Sequence, residues 1–122
     1  MANILIVDDE DRIRSILRIF LESKGHSIDE AENGIKALEK LEDNGFDLVI
    51  SDIRMDGMGG KELLSEIKER EIGCPVIFIT AYASVESSID ALRLGATDYL
   101  VKPFDEDEVD RKSTRLNSSH RL

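Results

Sequence analysis

Short β-rich runs alternate with amphipathic segments over the first 110 residues, and this alternation restricts the fold more than any other feature of the chain. The runs occupy residues 3–7, 27–31, 46–51, 76–80 and 98–101. Strands separated by helical segments favour parallel pairing, because a parallel connection needs a crossover of a dozen or more residues. The sequence therefore predicts an α/β domain with a doubly wound, five-stranded parallel sheet in the order 2-1-3-4-5 and helices on both faces.

The intervening segments carry apolar residues at the spacing of an amphipathic helix. Four helices are marked in this way, by Ile13, Leu17 and Leu21, by Ile35, Leu38 and Leu41, by Leu63, Leu64 and Ile67, and by Val85, Ile89 and Leu92. A fifth is predicted to begin near Asp105, where an acidic run suits the positive end of a helix dipole. Gly59 and Gly60 precede the third helix and predict an unusually flexible start to it.

Three carboxylates fall at the ends of two predicted strands. Asp8 and Asp9 follow the first run, and Asp52 follows the third. The strand order places these ends side by side at the switch point, where ligands bind in such sheets. Carboxylates this close repel one another, so such a cluster usually holds a divalent cation or performs acid chemistry. Oxygen ligands without histidine or cysteine favour Mg²⁺, with Mn²⁺ as the alternative, over Zn²⁺.

A hydroxyl and an ammonium group are expected at the same edge of the sheet, because Thr80 ends the fourth run and Lys102 follows the fifth. A carboxylate attacks phosphorus poorly unless the charge on the incoming oxygens is neutralised, and these groups supply that neutralisation. Each residue also has an ordinary structural interpretation. Asp8 and Asp9 would cap a helix, Thr80 would be a β-branched strand residue, and Lys102 would be solvated. Their convergence on one edge favours the chemical interpretation.

Composition restricts the class of protein. The chain has 122 residues, enough for one domain with an ordinary core, and a formal net charge of −10. That charge argues against a direct nucleic-acid partner, since nucleic-acid-binding domains carry basic stripes. Cys74 is the only cysteine, so no intramolecular disulfide can form. With no apolar run near the roughly 20 residues of a membrane span, a cytoplasmic protein without membrane contact is expected.

The composition changes abruptly at Arg111. Residues 111–122 hold four basic residues and no acidic one, and they lack a helical apolar stripe. We therefore predict a domain over residues 1–110 and a disordered or non-native tail over 111–122. The fifth helix is then truncated or replaced, and it loses inward apolar residues that would each contribute roughly 1.5–3 kcal/mol to stability.

Four motifs give the chain a family resemblance. They are Ile-Val-Asp-Asp-Glu at 6–10, Asp-Leu-Val-Ile-Ser-Asp-Ile-Arg-Met at 47–55, Ile-Thr-Ala at 79–81, and Gly-Ala-Thr-Asp-Tyr-Leu-Val-Lys-Pro-Phe at 95–104. With these motifs the chain resembles the receiver domains of bacterial two-component response regulators. It looks most like the receivers of nitrogen-regulation-type transcriptional activators.

The resemblance implies a flavodoxin-like receiver and specific roles for its residues. Asp52 would accept a phosphoryl group from a sensor histidine kinase, with Thr80 and Lys102 contacting the phosphate. Thr80 and Tyr99 would form the switch. The implied Mg²⁺ site consists of Asp8, Asp9, Asp52 and Arg54.

The resemblance also implies partners and a signalling role. The domain would catalyse only its own phosphorylation and dephosphorylation. Phosphorylation would change the face formed by the fourth helix, fifth strand and fifth helix. That face would control an output domain, one that regulates transcription, or form a homodimer.

Two other classes of protein share parts of this pattern. A haloacid-dehalogenase-like phosphohydrolase also uses an aspartate nucleophile with Mg²⁺, threonine and lysine. It requires a second acid two residues after the nucleophile, and position 54 is arginine. A non-phosphorylated interaction module of the same fold would lack one of the acids or the lysine, and this chain has them all.

Overall fold

The computed structural model describes the backbone of residues 2–55, 57–80, 92–93, 95–102 and 105–119, and the side chains of these residues up to 113. Nine elements follow one another within them: β1 (Asn3–Val7), α1 (Asp11–Ser23), β2 (Ser27–Ala31), α2 (Gly34–Asp43), β3 (Leu48–Asp52), α3 (Gly60–Glu69), β4 (Val76–Thr80), β5 (Asp98–Val101) and α4 (Glu106–Ser119). The predicted helix marked by Val85, Ile89 and Leu92 lies outside the described residues except for Leu92. No described helix is long and apolar enough to cross a membrane.

The five strands form one parallel sheet in the order β2-β1-β3-β4-β5. This confirms the predicted topology. The third strand is shifted from its predicted bounds: it begins at Leu48 and includes Asp52 as its last residue. In the register of the sheet, Val7 lies opposite Ser51, and Asp52 lies opposite Ile79. Strands β1 and β3 therefore end next to each other, which brings the residues after them together.

The sheet is buried on both faces, as expected when helices cover a parallel sheet on each side. Alternate residues of each central strand point to opposite sides, so the core has two halves. One half contains Leu5, Val7, Val49 and Phe78 of the strands with Leu38 and Leu41 of α2 and Leu63, Leu64 and Ile67 of α3. The other contains Ile4, Ile6, Ile50, Ile77 and Ile79 with Leu17 and Leu21 of α1 and Val109 of α4.

The C-terminal helix α4 continues through Ser119, so the predicted loss of regular structure after Asp110 is not what the structure shows. The segment contains neither glycine nor proline, the two residues that most strongly end a helix. The packing of this helix confirms the prediction of a replaced fifth helix. Among its described side chains only Val109 and Ser113 are buried, so Val109 is its one apolar residue in the core. The non-native origin of residues 111–122 stays a prediction.

Ser113 is poorly suited to its position in α4. It lies one turn after Val109, its side chain is 2% exposed, and its Oγ has no hydrogen-bond partner among the described residues. A buried hydroxyl without a partner destabilises the folded state, so we expect Ser113→Ala to raise the free energy of unfolding by about 1 kcal/mol. Urea denaturation measures the change.

The matched control for that substitution is Ser65→Ala, at an exposed position in α3. Ser65→Ala changes helix propensity without removing a buried polar atom. Equal stabilisation in the two variants would show that the Ser113 hydroxyl carries no burial cost.

Candidate phosphoacceptor site

Four polar side chains meet at the carboxyl edge of the sheet. Asp8 follows β1, Asp52 and Thr80 end β3 and β4, and Lys102 follows β5. Lys102 Nζ lies 3.1 Å from Asp52 Oδ2 and 3.3 Å from Asp8 Oδ2. The backbone N–H of Lys102 also donates to the Thr80 carbonyl, at 2.8 Å. The ends of β1, β3 and β5 thus bring two carboxylates and one ammonium group into direct contact, next to the end of β4.

This cluster is largely withdrawn from water. Asp8 is 0% exposed, Asp52 7% and Thr80 6%. Buried charges are costly unless they are paired and hydrogen-bonded. Here each carboxylate uses one oxygen for Lys102 and the other for a backbone N–H two residues along the chain. Asp8 Oδ1 accepts from Glu10, at 2.9 Å, and Asp52 Oδ1 accepts from Arg54, at 3.2 Å.

The surroundings of Asp8 and Lys102 change the pKa of each group. Burial raises the pKa of the Asp8 carboxyl, and the charge of Asp52 adds to the rise, while the Glu10 N–H and Lys102 oppose it. Burial alone would lower the pKa of Lys102. The hydrogen bond and charge of Asp52, together with those of Asp8, outweigh burial and raise that pKa. Lys102 is therefore charged at neutral pH.

The loop after β1 offers oxygen ligands for a divalent cation. Asp8, Asp9 and Glu10 each contribute a carboxylate oxygen, and these oxygens lie within 4.8 Å of one another. Oxygens grouped in this way could contribute together to one divalent-cation site, since Mg²⁺ takes oxygen ligands. One lysine faces three acids, since Lys102 Nζ is also 3.9 Å from Glu10 Oε1. The carboxylate oxygen ligands and the excess negative charge of the loop fit Mg²⁺ or Mn²⁺.

The structure brings together most of the residues predicted from sequence. Asp8, Asp52 and Lys102 are in contact, and Asp9 lies at the exposed side of the same loop. The exposed Arg54 reaches the site with its backbone N–H. Glu10 was not predicted, although its position directly after Asp9 was a usable signal. A groove of about 400 Å³ adjoins the cluster and is lined by Asp9, Ile53, Arg54, Met55, Gly59 and Glu62.

Tyr99, the predicted switch residue, lies half-buried in β5. Its N–H donates to its neighbour Asp98 at 2.8 Å, and its carbonyl accepts from Lys112 Nζ at 2.6 Å. Lys112 Nζ also lies 5.3 Å from the centre of the Tyr99 ring and 3.3 Å from Asp98 Oδ1. The C-terminal helix is therefore attached directly to this residue.

Cys74 takes no part in the cluster. It is half-buried and packs against the core half that contains α2 and α3. Burial raises the pKa of its thiol to about 12, so the protonated form dominates at neutral pH. A thiol in that form is a poor nucleophile, which agrees with a structural role.

Comparison with known proteins agrees with this geometry. The family model of the response regulator receiver domain matches residues 4–113 of this chain. The transcriptional regulatory protein ZraR of Klebsiella oxytoca is 46% identical over 108 residues, which cover 88% of this chain and 24% of that protein. The chain thus spans about a quarter of that relative's length.

Two solved structures are also similar. One is NtrX from Brucella abortus, with a TM-score of 0.92 and 34% identity, covering 99% of this chain and 28% of that one. The other is the response regulator TrrA of Thermotoga maritima in complex with Mg²⁺ and BeF, with a TM-score of 0.85 and 40% identity, covering 95% and 99%. With the strand order and the acid cluster, these matches show that the chain belongs to the receiver domain family of two-component response regulators and resembles the receivers of nitrogen-regulation-type activators.

Proposed function

We propose that this receiver domain accepts a phosphoryl group on Asp52 from a sensor histidine kinase. The observation that carries the proposal is the Asp52 carboxylate, which lies at the end of β3 with Oδ2 3.1 Å from Lys102 Nζ and beside an oxygen-lined loop. A nucleophile needs access as well as neutralising charge. The adjoining groove, lined in part by Asp9 and Arg54, supplies that access.

The proposed transfer uses the residues of the cluster in distinct ways. An Asp52 carboxylate oxygen forms a bond to phosphorus while the bond between phosphorus and the kinase histidine breaks, and its electron pair returns to the imidazole. The Arg54 N–H holds Asp52 Oδ1 and so limits rotation of the carboxylate. Lys102 neutralises charge on the phosphoryl oxygens, and the Thr80 hydroxyl donates to one of them.

The carboxylates of Asp8, Asp9 and Asp52 and the backbone carbonyl oxygen of Arg54 would hold Mg²⁺, and the Glu10 carboxylate lies close enough to join them. When bound, the cation supplies positive charge that offsets the charge of the phosphoryl group. The relative TrrA was solved in complex with Mg²⁺ and BeF, which supports the same cofactor here. Mn²⁺ would serve the same site because it accepts the same oxygen ligands.

The buried acid cluster should be unstable without a cation. Because burial raises the pKa of Asp8, the folded state binds protons more tightly than the unfolded state, and stability falls as pH rises through the acidic range. Asp8→Asn removes this cost while keeping an acceptor for the Glu10 N–H. We expect it to stabilise the protein in EDTA on the order of 1 kcal/mol, a usual size for one substitution, and to reduce stabilisation by Mg²⁺.

Thermal melting in EDTA and in Mg²⁺ measures both effects. Asp9→Asn is the matched control because Asp9 belongs to the same loop but is exposed. It should weaken Mg²⁺ binding with a smaller gain of stability in EDTA. If Asp8→Asn were less stable than the parent in EDTA, the buried Asp8 carboxylate would not destabilise the cation-free protein, contrary to this prediction.

We propose that phosphorylation at Asp52 is transmitted through Thr80 and Tyr99 to the face containing β5 and α4. The attachment of Lys112 to the Tyr99 carbonyl and ring supports this face as the responding surface. The face would engage an output domain or a second receiver. ZraR is named a transcriptional regulatory protein, and the present chain spans about a quarter of it, so the proposed output is control of transcription. This module would act in the cytoplasm, without contacting DNA or membrane itself.

One set of measurements separates this proposal from the other two classes. Incubation with Mg²⁺ and acetyl phosphate should add one acid-stable, base-labile phosphoryl group, and Mg²⁺ with beryllofluoride should shift the NMR signals of Tyr99. Sustained turnover of small phosphoesters would indicate a phosphohydrolase instead. The arginine at position 54, exposed where that class needs an acid, argues against it. A chain that responds to neither reagent would be a non-phosphorylated interaction module.

A further inference from the structure

Arg14 of α1 connects the acid loop to the edge of the sheet. Its side chain is 12% exposed, and Nη1 donates to the backbone carbonyl of Asp8. Nε donates to Glu30 Oε1 in β2 at 3.1 Å, and Nη2 donates to Asp11 Oδ1. The guanidinium fork, which presents several donors in a rigid plane, thus joins three separate acceptors.

Glu30 is a firm anchor for this connection. Its second oxygen, Oε2, accepts from Arg18 Nη1, and Arg18 Nη2 donates to the Ile28 carbonyl at 3.1 Å. Arg14 and Arg18 are one helical turn apart, so both reach the same carboxylate from one side of α1. Strand β2, which carries Glu30, pairs with β1 along its whole length.

The backbone around Asp8 is held from several sides. Its N–H donates to the Ala31 carbonyl at 3.2 Å, and its Oδ1 accepts from the Glu10 N–H at 2.9 Å. The bond from Arg14 to the Asp8 carbonyl fixes the remaining feature, the plane of the peptide that joins Asp8 to Asp9. The orientation of that plane contributes to the directions in which the Asp9 and Glu10 side chains leave the backbone.

We propose that Arg14, anchored by Glu30, is a positioning residue that orients the Asp8–Asp9 peptide so that the loop's carboxylates converge on a divalent cation. This inference deepens the proposed Mg²⁺-dependent function and rests on it. Arg14 would act through the backbone carbonyl of Asp8 and would not itself be a ligand of the cation. Loss of a group that orients metal ligands typically lowers metal affinity by roughly 10–100-fold.

Loss of the Arg14 charge and loss of its positioning contact should change Mg²⁺ affinity in opposite directions. The positioning role is therefore testable. A cation near the site repels Mg²⁺, so removal of the charge alone should tighten Mg²⁺ binding. Loss of the positioning contact should weaken it. Arg14→Ala therefore gives changes of opposite sign for the two causes, and Arg14→Lys keeps the charge while replacing the fork by a single amine.

The test compares Arg14→Ala and Arg14→Lys with the parent by calorimetric Mg²⁺ titration and by NMR-detected exchange of the Glu10 amide. For Arg14→Ala we expect Mg²⁺ affinity to fall about tenfold, the lower end of the usual effect of ligand-orienting groups, and exchange at Glu10 to accelerate. For Arg14→Lys, the Mg²⁺ affinity and the Glu10 exchange rate should lie between those of the parent and of Arg14→Ala. One amine cannot bond to both Asp8 and Glu30.

The control is Arg70→Ala. Arg70 also pairs with two carboxylates, Glu42 and Glu66, but at the C-terminal end of α3. Its loss should lower stability without changing Mg²⁺ affinity or Glu10 exchange.

Two results would overturn the positioning role. One is Mg²⁺ affinity in Arg14→Ala that equals or exceeds that of the parent. The other is unchanged exchange at the Glu10 amide, which decides the matter even in metal-free buffer. A parent that fails to bind Mg²⁺ while Arg14→Ala still accelerates Glu10 exchange would contradict the proposed cofactor and leave the orienting contact established.

Discussion

Asp52→Asn should reduce incorporation of phosphate from acetyl phosphate by at least about a hundredfold, because an amide oxygen is a far weaker nucleophile than a carboxylate. The substitution is nearly isosteric. Asparagine keeps an acceptor for the Arg54 N–H, and Lys102 keeps its contact with Asp8, at 3.3 Å. The folded site should therefore persist, so that loss of phosphorylation reports the chemistry of Asp52 itself. Intact-mass measurement with acid and base treatment quantifies the phosphoryl group.

Asp43→Asn provides the matched control for this loss. Asp43 is an exposed aspartate at the end of α2, and it is not part of the acid cluster. Its substitution changes the net charge equally and should leave phosphorylation unaffected. Equal incorporation by Asp52→Asn and the parent would show that another carboxylate accepts the phosphoryl group. Asp8 and Asp9 would then be the first residues to test.

The sheet could be predicted because its strands carry strong local signals. The β-branched runs around Ile6, Ile50 and Ile77 are continuous, as buried parallel strands require. Once the strand order was set, the positions of Asp8 and Asp52 followed, since the carboxyl ends of β1 and β3 meet at the switch point. The meeting of Asp8, Asp52 and Lys102 at one edge of the sheet was thus readable from sequence.

Contacts made between distant segments were not readable in this way. Arg14 and Glu30 belong to different elements, and each alone resembles an ordinary surface charge. Nothing in the local pattern indicates that an arginine on α1 bonds to the carbonyl of Asp8. The attachment of Lys112 to Tyr99 was missed for the same reason.

The C-terminal helix shows how composition can mislead. The basic, apolar-poor segment after Asp110 predicted disorder, yet helix formation there needs only permissive residues and a few attachments. Val109 enters the core, and Lys112 binds the Tyr99 carbonyl. The buried hydroxyl of Ser113 shows what the composition did indicate correctly, a helix poorly matched to the core that it covers.

Gly60 illustrates a role for glycine that differs from the predicted flexibility. It is a buried residue at the start of α3, and its N–H donates to the Ile53 carbonyl at 3.0 Å. A Cβ atom there would lie 2.4 Å from the Asp52 carbonyl oxygen and 3.0 Å from Ile53 Cα. Glycine is therefore needed for close approach between α3 and the backbone that carries Asp52.

Gly60→Ala is accordingly expected to destabilise the protein by about 3 kcal/mol, at the upper end for overpacking, because the obstructing atoms are backbone and cannot rotate away. The better helix propensity of alanine, worth about 1 kcal/mol, offsets only part of the clash. Relief of the clash requires α3 or the end of β3 to move, so phosphorylation of the folded fraction should also slow. Urea denaturation and acetyl phosphate labelling measure the two effects.

Gly45→Ala separates the clash from the general effect of replacing glycine. Gly45 is exposed, and a Cβ there would have no neighbour within 4 Å. Its substitution should be slightly stabilising, since alanine restricts the unfolded chain without a clash in the folded one. If Gly60→Ala proved as stable as Gly45→Ala and was phosphorylated at the parental rate, α3 would have room to shift without disturbing Asp52. A destabilised Gly60→Ala protein that still accepted phosphate normally would separate the packing of α3 from the chemistry. Slow phosphorylation in a protein that remains folded would instead show that the approach of α3 helps to place the phosphoacceptor.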